Sequence, residues 1–122
     1  MVFSLEMDGV QLMMRAISSV SGIEYRNGLA YTPEQLGLIA DASSTVGKWA
    51  VEIDDTPGLS VSQIRARARR ASYSKGVSPI FVDYLQIMGA EGRDRKREEQ
   101  VAAISRELKA LARELNVPLI AA

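Results

Sequence analysis

Pro79-Ile80-Phe81-Val82-Asp83-Tyr84-Leu85 decides the fold. Up to Asp83 the run is almost unbroken in apolar character, and such runs suit a strand buried on both faces of a parallel sheet. Downstream, Gly89 to Arg97 is polar and highly charged and reads as a loop. Val101, Ile104, Leu108, Leu111 and Leu115 then recur three and four apart, which predicts a helix from Glu98 to Asn116. Pro118-Leu119-Ile120-Ala121-Ala122 opens a further strand. Upstream, Ser60 with Gln63 forms a capping box, Val61, Ile64, Ala68 and Ala71 give the next helix a narrow apolar stripe, and Gly76 can stop it. Before it, Trp49-Ala50-Val51-Glu52-Ile53 reads as a strand ended by the turn Asp54-Asp55-Thr56-Pro57-Gly58. Thr32-Pro33-Glu34-Gln35 starts a helix whose apolar side is expected at Leu36, Ile39 and Ala40. Ser21 to Tyr31 reads as a loop, and Asp8 caps a helix with Met13, Ala16, Ile17 and Val20 on one face. Val2 to Met7 is the first strand. Strands alternating with helices predict an α/β fold with a parallel sheet.

Length and composition set the outer limits. The 122 residues make room for one domain, and 47% apolar residues are enough for a core. Without Cys there is no disulfide scaffold or thiolate metal site, and without His there is no imidazole ligand, Ser-His-Asp triad or histidine acid–base chemistry. No apolar run approaches the ~20 residues of a membrane helix, and the first residues lack a charged-then-apolar leader, so a soluble cytoplasmic chain is expected. The formal net charge of zero conceals an asymmetry of −5 over residues 1–55 and +5 over residues 56–122. The positive excess gathers at Arg65 to Lys75 and Arg93 to Arg97, as two solvated helix faces or as local surfaces for a polyanion.

Two acids lie at or near the carboxyl ends of predicted strands, where parallel sheets collect ligands: Glu6 and Asp83. An apolar strand ending in Asp is the Walker B pattern, whose carboxylate holds Mg²⁺ directly or through water. A Glu on a neighbouring strand can orient, or take a proton from, the water that attacks a γ-phosphate. Either acid also fits a plainer role, as a cap or strand exit. The partner motif would be a G-x-x-x-x-G-K-[ST] loop. Ala42-Ser43-Ser44-Thr45-Val46-Gly47-Lys48-Trp49 is a decoy, with Ala for the first Gly and Trp for the Ser/Thr, and nothing else in the 122 residues forms that cradle.

Several segments in order resemble the C-terminal motor domain of DnaB-family replicative helicases, a RecA-like ATPase. They are Phe3-Ser4-Leu5-Glu6-Met7, Gln11 to Arg15, Ile53 to Ser60, Arg65 to Arg70, Val82 to Met88, and Ile104 to Pro118. The resemblance runs over essentially the whole chain. It implies a partial RecA-like (P-loop NTPase) parallel sheet with helices on both faces, forming one incomplete motor domain over residues 1–122. It implies Glu6 as the catalytic glutamate, Arg15 as the arginine near the γ-phosphate, and Asp83 as the Mg²⁺-associated acid. ATP and Mg²⁺ are the implied cofactors. Arg93, Arg95, Lys96 and Arg97 fall where such motors carry a loop facing single-stranded DNA; a solvated loop is the alternative. Gln86 lies in a matching motif with no chemistry assigned, and Asp54 and Asp55 are read as turn-forming and capping residues.

The implied activity is ATP-dependent 5′-to-3′ unwinding of DNA in replication, by a homohexamer, with other helicase subunits and single-stranded DNA as partners and no membrane. The family begins upstream with the phosphate-binding loop and continues downstream into a sensor glutamine and an arginine finger. The 122 residues therefore read as the middle of a motor, expected to be inactive alone. The alternative is a non-catalytic remnant that binds helicase subunits or DNA. The resemblance implies that in such motors the phosphate-loop strand, absent from these residues, lies between the Asp83 strand and the Pro118 strand. Without it, either Pro118 to Ala121 pairs directly with the Asp83 strand, or a second copy associates through the open sheet edge; direct pairing is favoured.

Overall fold

The structure, a computed structural model, describes residues 1–25, 28–76, 78–83 and 97–122. It divides into two compact units, residues 1–6 with 52–122, and residues 7–51.

The first unit contains β1 (Val2–Ser4), β2 (Ile53–Asp54), β3 (Ile80–Asp83) and β4 (Leu119–Ala121), with α3 (Val61–Lys75) and α4 (Arg97–Leu115). The four strands form one sheet in the order β2-β1-β3-β4, and every neighbouring pair is parallel. Phe3, Leu5, Ile80 and Val82 from the strand segments pack with Leu59, Ile64 and Ala68 and with Ile104, Leu108 and Leu111 in one buried cluster. Side chains alternate along a strand, so the face that carries Ile80 and Val82 is the one met by α3 and α4. Phe81, between them, stays 38% exposed, which corrects the expectation that this strand is buried on both faces.

Pro118 to Ala121 pairs directly with β3, in the register Ile80↔Leu119, Phe81↔Ile120 and Val82↔Ala121. The Ile80 N–H donates to the Pro118 carbonyl at 2.9 Å and the Ala122 N–H to the Val82 carbonyl at 3.1 Å, so no strand lies between the two. The favoured pairing is the one the sheet adopts. α4 makes the connection, and Asn116 ends it in the left-handed region at φ 53°, a conformation that Asn tolerates better than most residues.

The second strand is shorter than expected. Only Ile53 and Asp54 pair with β1, whereas Trp49 and Val51 are each 46% exposed. α3 forms as its caps dictate: the Ser60 hydroxyl accepts from the Gln63 N–H, the Gln63 side chain accepts from the Ser60 N–H, and Gly76 closes the helix at φ 64°.

The second unit holds α1 (Gly9–Ser21) and α2 (Pro33–Val46), which pack on one another. Asp8 caps α1 by accepting from the Gln11 N–H at 2.8 Å, and Thr32 with Gln35 forms a capping box on α2. α2 buries Ala42 and Val46 with Ile39 half-buried, while Leu36 and Ala40 of its expected face are exposed.

Candidate active site

The carboxyl edge of the sheet assembles from three strand ends. Phe3 is level with Asp54 on one side and Val82 on the other, and Ser4 is level with Asp83. The Leu5 N–H then donates to the Asp83 carbonyl at 2.7 Å, carrying the β1–β3 ladder one residue further. Leu5 is held in the core, so Glu6 emerges just past the level of Asp83. Glu6 is exposed and Asp83 half-buried. Alternation from Val82 turns the Asp83 side chain away from α3 and α4. Both groups are hard carboxylate oxygen donors of the kind Mg²⁺ takes, and Mg²⁺ sites commonly use one or two carboxylates with water and substrate phosphates. Among the described residues no group of three or more acids forms a metal cage. The edge thus offers one carboxylate suited to a cation and another, on the adjoining strand, able to accept a proton.

Asp54 lies at the same edge but faces α3, as its register with Phe3 and Val82 requires. Arg67 Nη1 donates to both Asp54 carboxylate oxygens at 2.7 Å and to the Thr56 hydroxyl at 2.7 Å. The Thr56 N–H also donates to Asp54 Oδ1 at 3.2 Å, an Asx turn of the kind the sequence suggested. Burial acts to raise the Asp54 carboxyl pKa, but the hydrogen bonds from Arg67 and Thr56 outweigh it, and the net displacement is downward. Leu59, at the end of this turn, is fully buried.

Arg15 belongs to the second unit. It is exposed on α1 and lines an open hollow of about 390 Å³ with Met7, Val10, Gln11, Met14, Ser18 and Tyr25. Arg93, Arg95, Lys96 and Gln86 lie outside the described residues, and Arg97, expected in the loop, is the first residue of α4.

Two clusters escaped the sequence reading. One is the Arg67–Asp54–Thr56 clamp. The other joins the helices: Arg65 donates from Nε at 2.9 Å and Nη2 at 2.6 Å to Glu114 Oε2, and Arg69 Nε donates to Glu114 Oε1. Hydrogen bonds from Arg69 and then Arg65 hold the Glu114 carboxyl below its usual range. Arg65 and Arg69, four apart, necessarily share a helix face, but the sequence does not say which carboxylate meets them.

A model of the DnaB-like helicase C-terminal domain matches residues 1–122. The chain is 43% identical over 123 residues to the replicative DNA helicase DnaB of Geobacillus stearothermophilus, covering 98% of this chain and 27% of that protein. It is 42% identical, with the same coverage, to the replicative DNA helicase DnaC of Bacillus subtilis (strain 168). A DnaB-like replicative helicase, from a structural study of its interactions with primase, superposes with a TM-score of 0.84 at 29% identity, over 98% of this chain and 31% of that one. A second solved structure, of an ATPase domain, gives 0.82 at 30% identity, over 98% and 44%. The chain therefore spans about a quarter of the length of the curated relatives it matches.

Proposed function

Because the chain belongs to the DnaB-like helicase C-terminal domain family, we propose that residues 1–122 are one portion of a RecA-like motor domain for ATP-dependent 5′-to-3′ DNA unwinding in replication. The observation that carries this reading is the placement of Glu6 just beyond Asp83 on adjoining parallel strands, in a chain the motor family matches throughout. Glu6 orients the attacking water and accepts its proton; Asp83 supplies carboxylate oxygen to Mg²⁺; Arg15 serves the γ-phosphate. Mg²⁺, when bound, neutralises charge on the phosphate oxygens. Arg93, Arg95, Lys96 and Arg97 face single-stranded DNA, with weak, salt-sensitive and sequence-indifferent binding, because Glu91, Asp94, Glu98 and Glu99 sit among them. The working assembly is a homohexamer in the cytoplasm. No helix among the described residues is long and apolar enough to cross a membrane.

The 122 residues contain no G-x-x-x-x-G-K-[ST], and backbone N–H groups and the Lys of that loop carry most of the grip on nucleotide phosphates. The polypeptide by itself is accordingly proposed to be inactive, with phosphate release at background. The test is a chimera in which these residues replace the matching 123-residue stretch of the Geobacillus stearothermophilus helicase. It is expected to hydrolyse ATP and unwind a forked duplex, and Glu6→Gln is expected to abolish both while nucleotide still binds. A chimera whose hydrolysis survives Glu6→Gln would remove Glu6 from the mechanism. An inert chimera, combined with capture of helicase subunits by the 122-residue polypeptide, would favour the second reading, a non-catalytic binding module.

A further inference from the structure

β4 is the open edge of the sheet, and a hollow lies beside it. The Ile80 N–H donates to the Pro118 carbonyl and the Ala122 N–H to the Val82 carbonyl, so alternation leaves the N–H and C=O groups of Leu119 and Ala121 pointing away from β3. The same two residues, with Ser105, Leu108, Lys109 and Ala112 of α4, line a hollow of about 210 Å³. Lys109 is the only charged residue on that lining. It is exposed and, among the described residues, has no ion-pair partner. Asn116 to Pro118 turn the chain from α4 into β4, so the helix runs antiparallel to the strand it flanks. Lys109 lies about 9 Å back from Leu115, the last residue of α4. Ala121 lies about 10 Å forward of Pro118, so Lys109 stands level with the carboxyl end of β4. On the other face of the strand, Ile120 is 53% exposed beside Phe81.

We propose that β4 and α4 form a docking site for the C-terminal end of a partner polypeptide, bound as a fifth parallel strand. The outward N–H and C=O groups of Leu119 and Ala121 supply the main-chain bonds of strand addition, and the hollow beside them supplies selectivity for a side chain. Every neighbouring pair in the sheet is parallel, and a strand added in that direction brings its carboxyl end to Lys109. The unpaired ammonium there is complementary to a terminal carboxylate. Side chains of the added strand level with Leu119 and Ala121 point to the α4 side and enter the hollow. A cavity of ~150 Å³ already holds a benzene molecule, so one aliphatic side chain fits. The side chain between those two lies against the exposed Ile120. The ligand is therefore an extended, apolar peptide end with a free carboxylate. A second copy offering its own β4 edge about a two-fold axis would pair antiparallel, and would bring the amino-directed end of its strand, not a carboxylate, to Lys109. The site goes beyond the proposed motor function and uses none of Glu6, Arg15 or Asp83.

Fluorescence anisotropy with the 122-residue chain and the labelled peptide Gly-Ser-Thr-Leu-Val-Leu, free at its carboxyl end, tests the proposal. Saturable binding is expected, and none up to about 1 mM peptide would overturn the site. Amidating the terminal carboxylate should weaken binding about 3–5-fold, near the upper end for an exposed ion pair. Lys109→Gln should weaken the free acid by the same factor and leave the amide unchanged. Equal losses for both peptides would mean that Lys109 does not read the carboxylate, and would overturn the proposal. Replacing the last Leu of the peptide by Ser should cost about 10-fold or more. Ser105→Leu, which fills the hollow from an exposed position on α4, should cost as much. Methylating a peptide nitrogen that faces β4 should abolish binding, and methylating the alternate nitrogen should not. That comparison changes only the peptide, so it holds whether or not a protein variant folds, and equal effects would show that no strand is added. Amide exchange at Ile80 should be as slow with peptide as without it; faster exchange would mean that the peptide displaces β4 from β3. Light scattering should find one chain per complex, and a dimer split by the peptide would make a second copy the occupant. Either result would overturn the proposal.

Discussion

Asp54 shows how one short contact sets the geometry of the sheet edge. It sits on a strand of two residues, too little pairing to fix a strand end, and a single nitrogen of Arg67 bridges both its oxygens and the Thr56 hydroxyl. Hydrogen bonds to an ionised group contribute roughly 1.5–3 kcal/mol, but Arg67 is more than a third exposed and solvent discounts that figure. Arg67→Ala should therefore cost about 1–2 kcal/mol at pH 7. The pH dependence follows from the sign of the shift. The Asp54 carboxyl is depressed in the folded state, so its contribution is present above the unfolded value of 3.8 and is lost as pH falls through the lower folded value. Urea titrations of wild type and Arg67→Ala should differ fully at pH 7 and converge in strong acid; a gap that persists there would mean the ion pair is not its source. Asp54 as a turn residue was legible in Asp54-Asp55-Thr56-Pro57-Gly58, because an Asx turn is local. Arg67 as its partner was not, because that depends on the β1–β2 register and on how α3 is rotated.

Helices with local stop and start signals were readable, and the short edge strand was not. Thr32, Ser60 and Asp8 all accept the cap hydrogen bonds their spacing requires, since a cap involves only residues within one turn. Ser60→Ala should lower stability by about 1 kcal/mol, measured by chemical denaturation, and Ser60→Asp should largely restore it. α4 was found by its apolar spacing, and its exit rests on a left-handed residue. Asn116→Val should cost about 1–2 kcal/mol, because a β-branched side chain is strained at that φ, whereas Asn116→Gly should cost nothing. A costly Gly variant would show that the Asn side chain, rather than its backbone, ends the helix. Trp49 to Ile53 misled because apolar alternation marks one-sided burial wherever it occurs, yet the contact with β1 begins at the Glu52 carbonyl, which accepts the Val2 N–H at 2.8 Å, and the paired residues are Ile53 and Asp54. On α2 the hydrophobicity of Leu36 drew the expected face away from the true one, which follows Ile39, Ala42 and Val46 at helical spacing. Glu6 and Asp83 stood out because strand ends are where parallel sheets place ligand groups; the loop after Asp83 lies outside the described residues.

The scale of the whole sheet determines which backbone groups are buried. β3 lies inside the order β2-β1-β3-β4, and its successive amides donate to opposite neighbours, Ile80 to the Pro118 carbonyl and Phe81 to the Met1 carbonyl, each at 2.9 Å. Leaving either side open would strand buried N–H and C=O groups at roughly 1–3 kcal/mol each, which is why the sequence calls for a partner strand, from Pro118 to Ala121 or from a second copy, and the long helix between favours the former. A helix of 19 residues is ample for a crossover between adjacent parallel strands. β4, by contrast, is an edge. Since the Ala122 N–H points inward to Val82, alternation in a parallel ladder turns the Leu119 and Ala121 N–H groups outward. Amide exchange on the 122-residue chain should find Ile80 and Phe81 among its slowest amides and Leu119 and Ala121 among its fast ones. The protection of Ile80 should also be the same across a wide range of protein concentration. If it rose with concentration in step with the mass seen by light scattering, a second copy would be supplying the strand, and the pairing of β3 with its own β4 would be wrong.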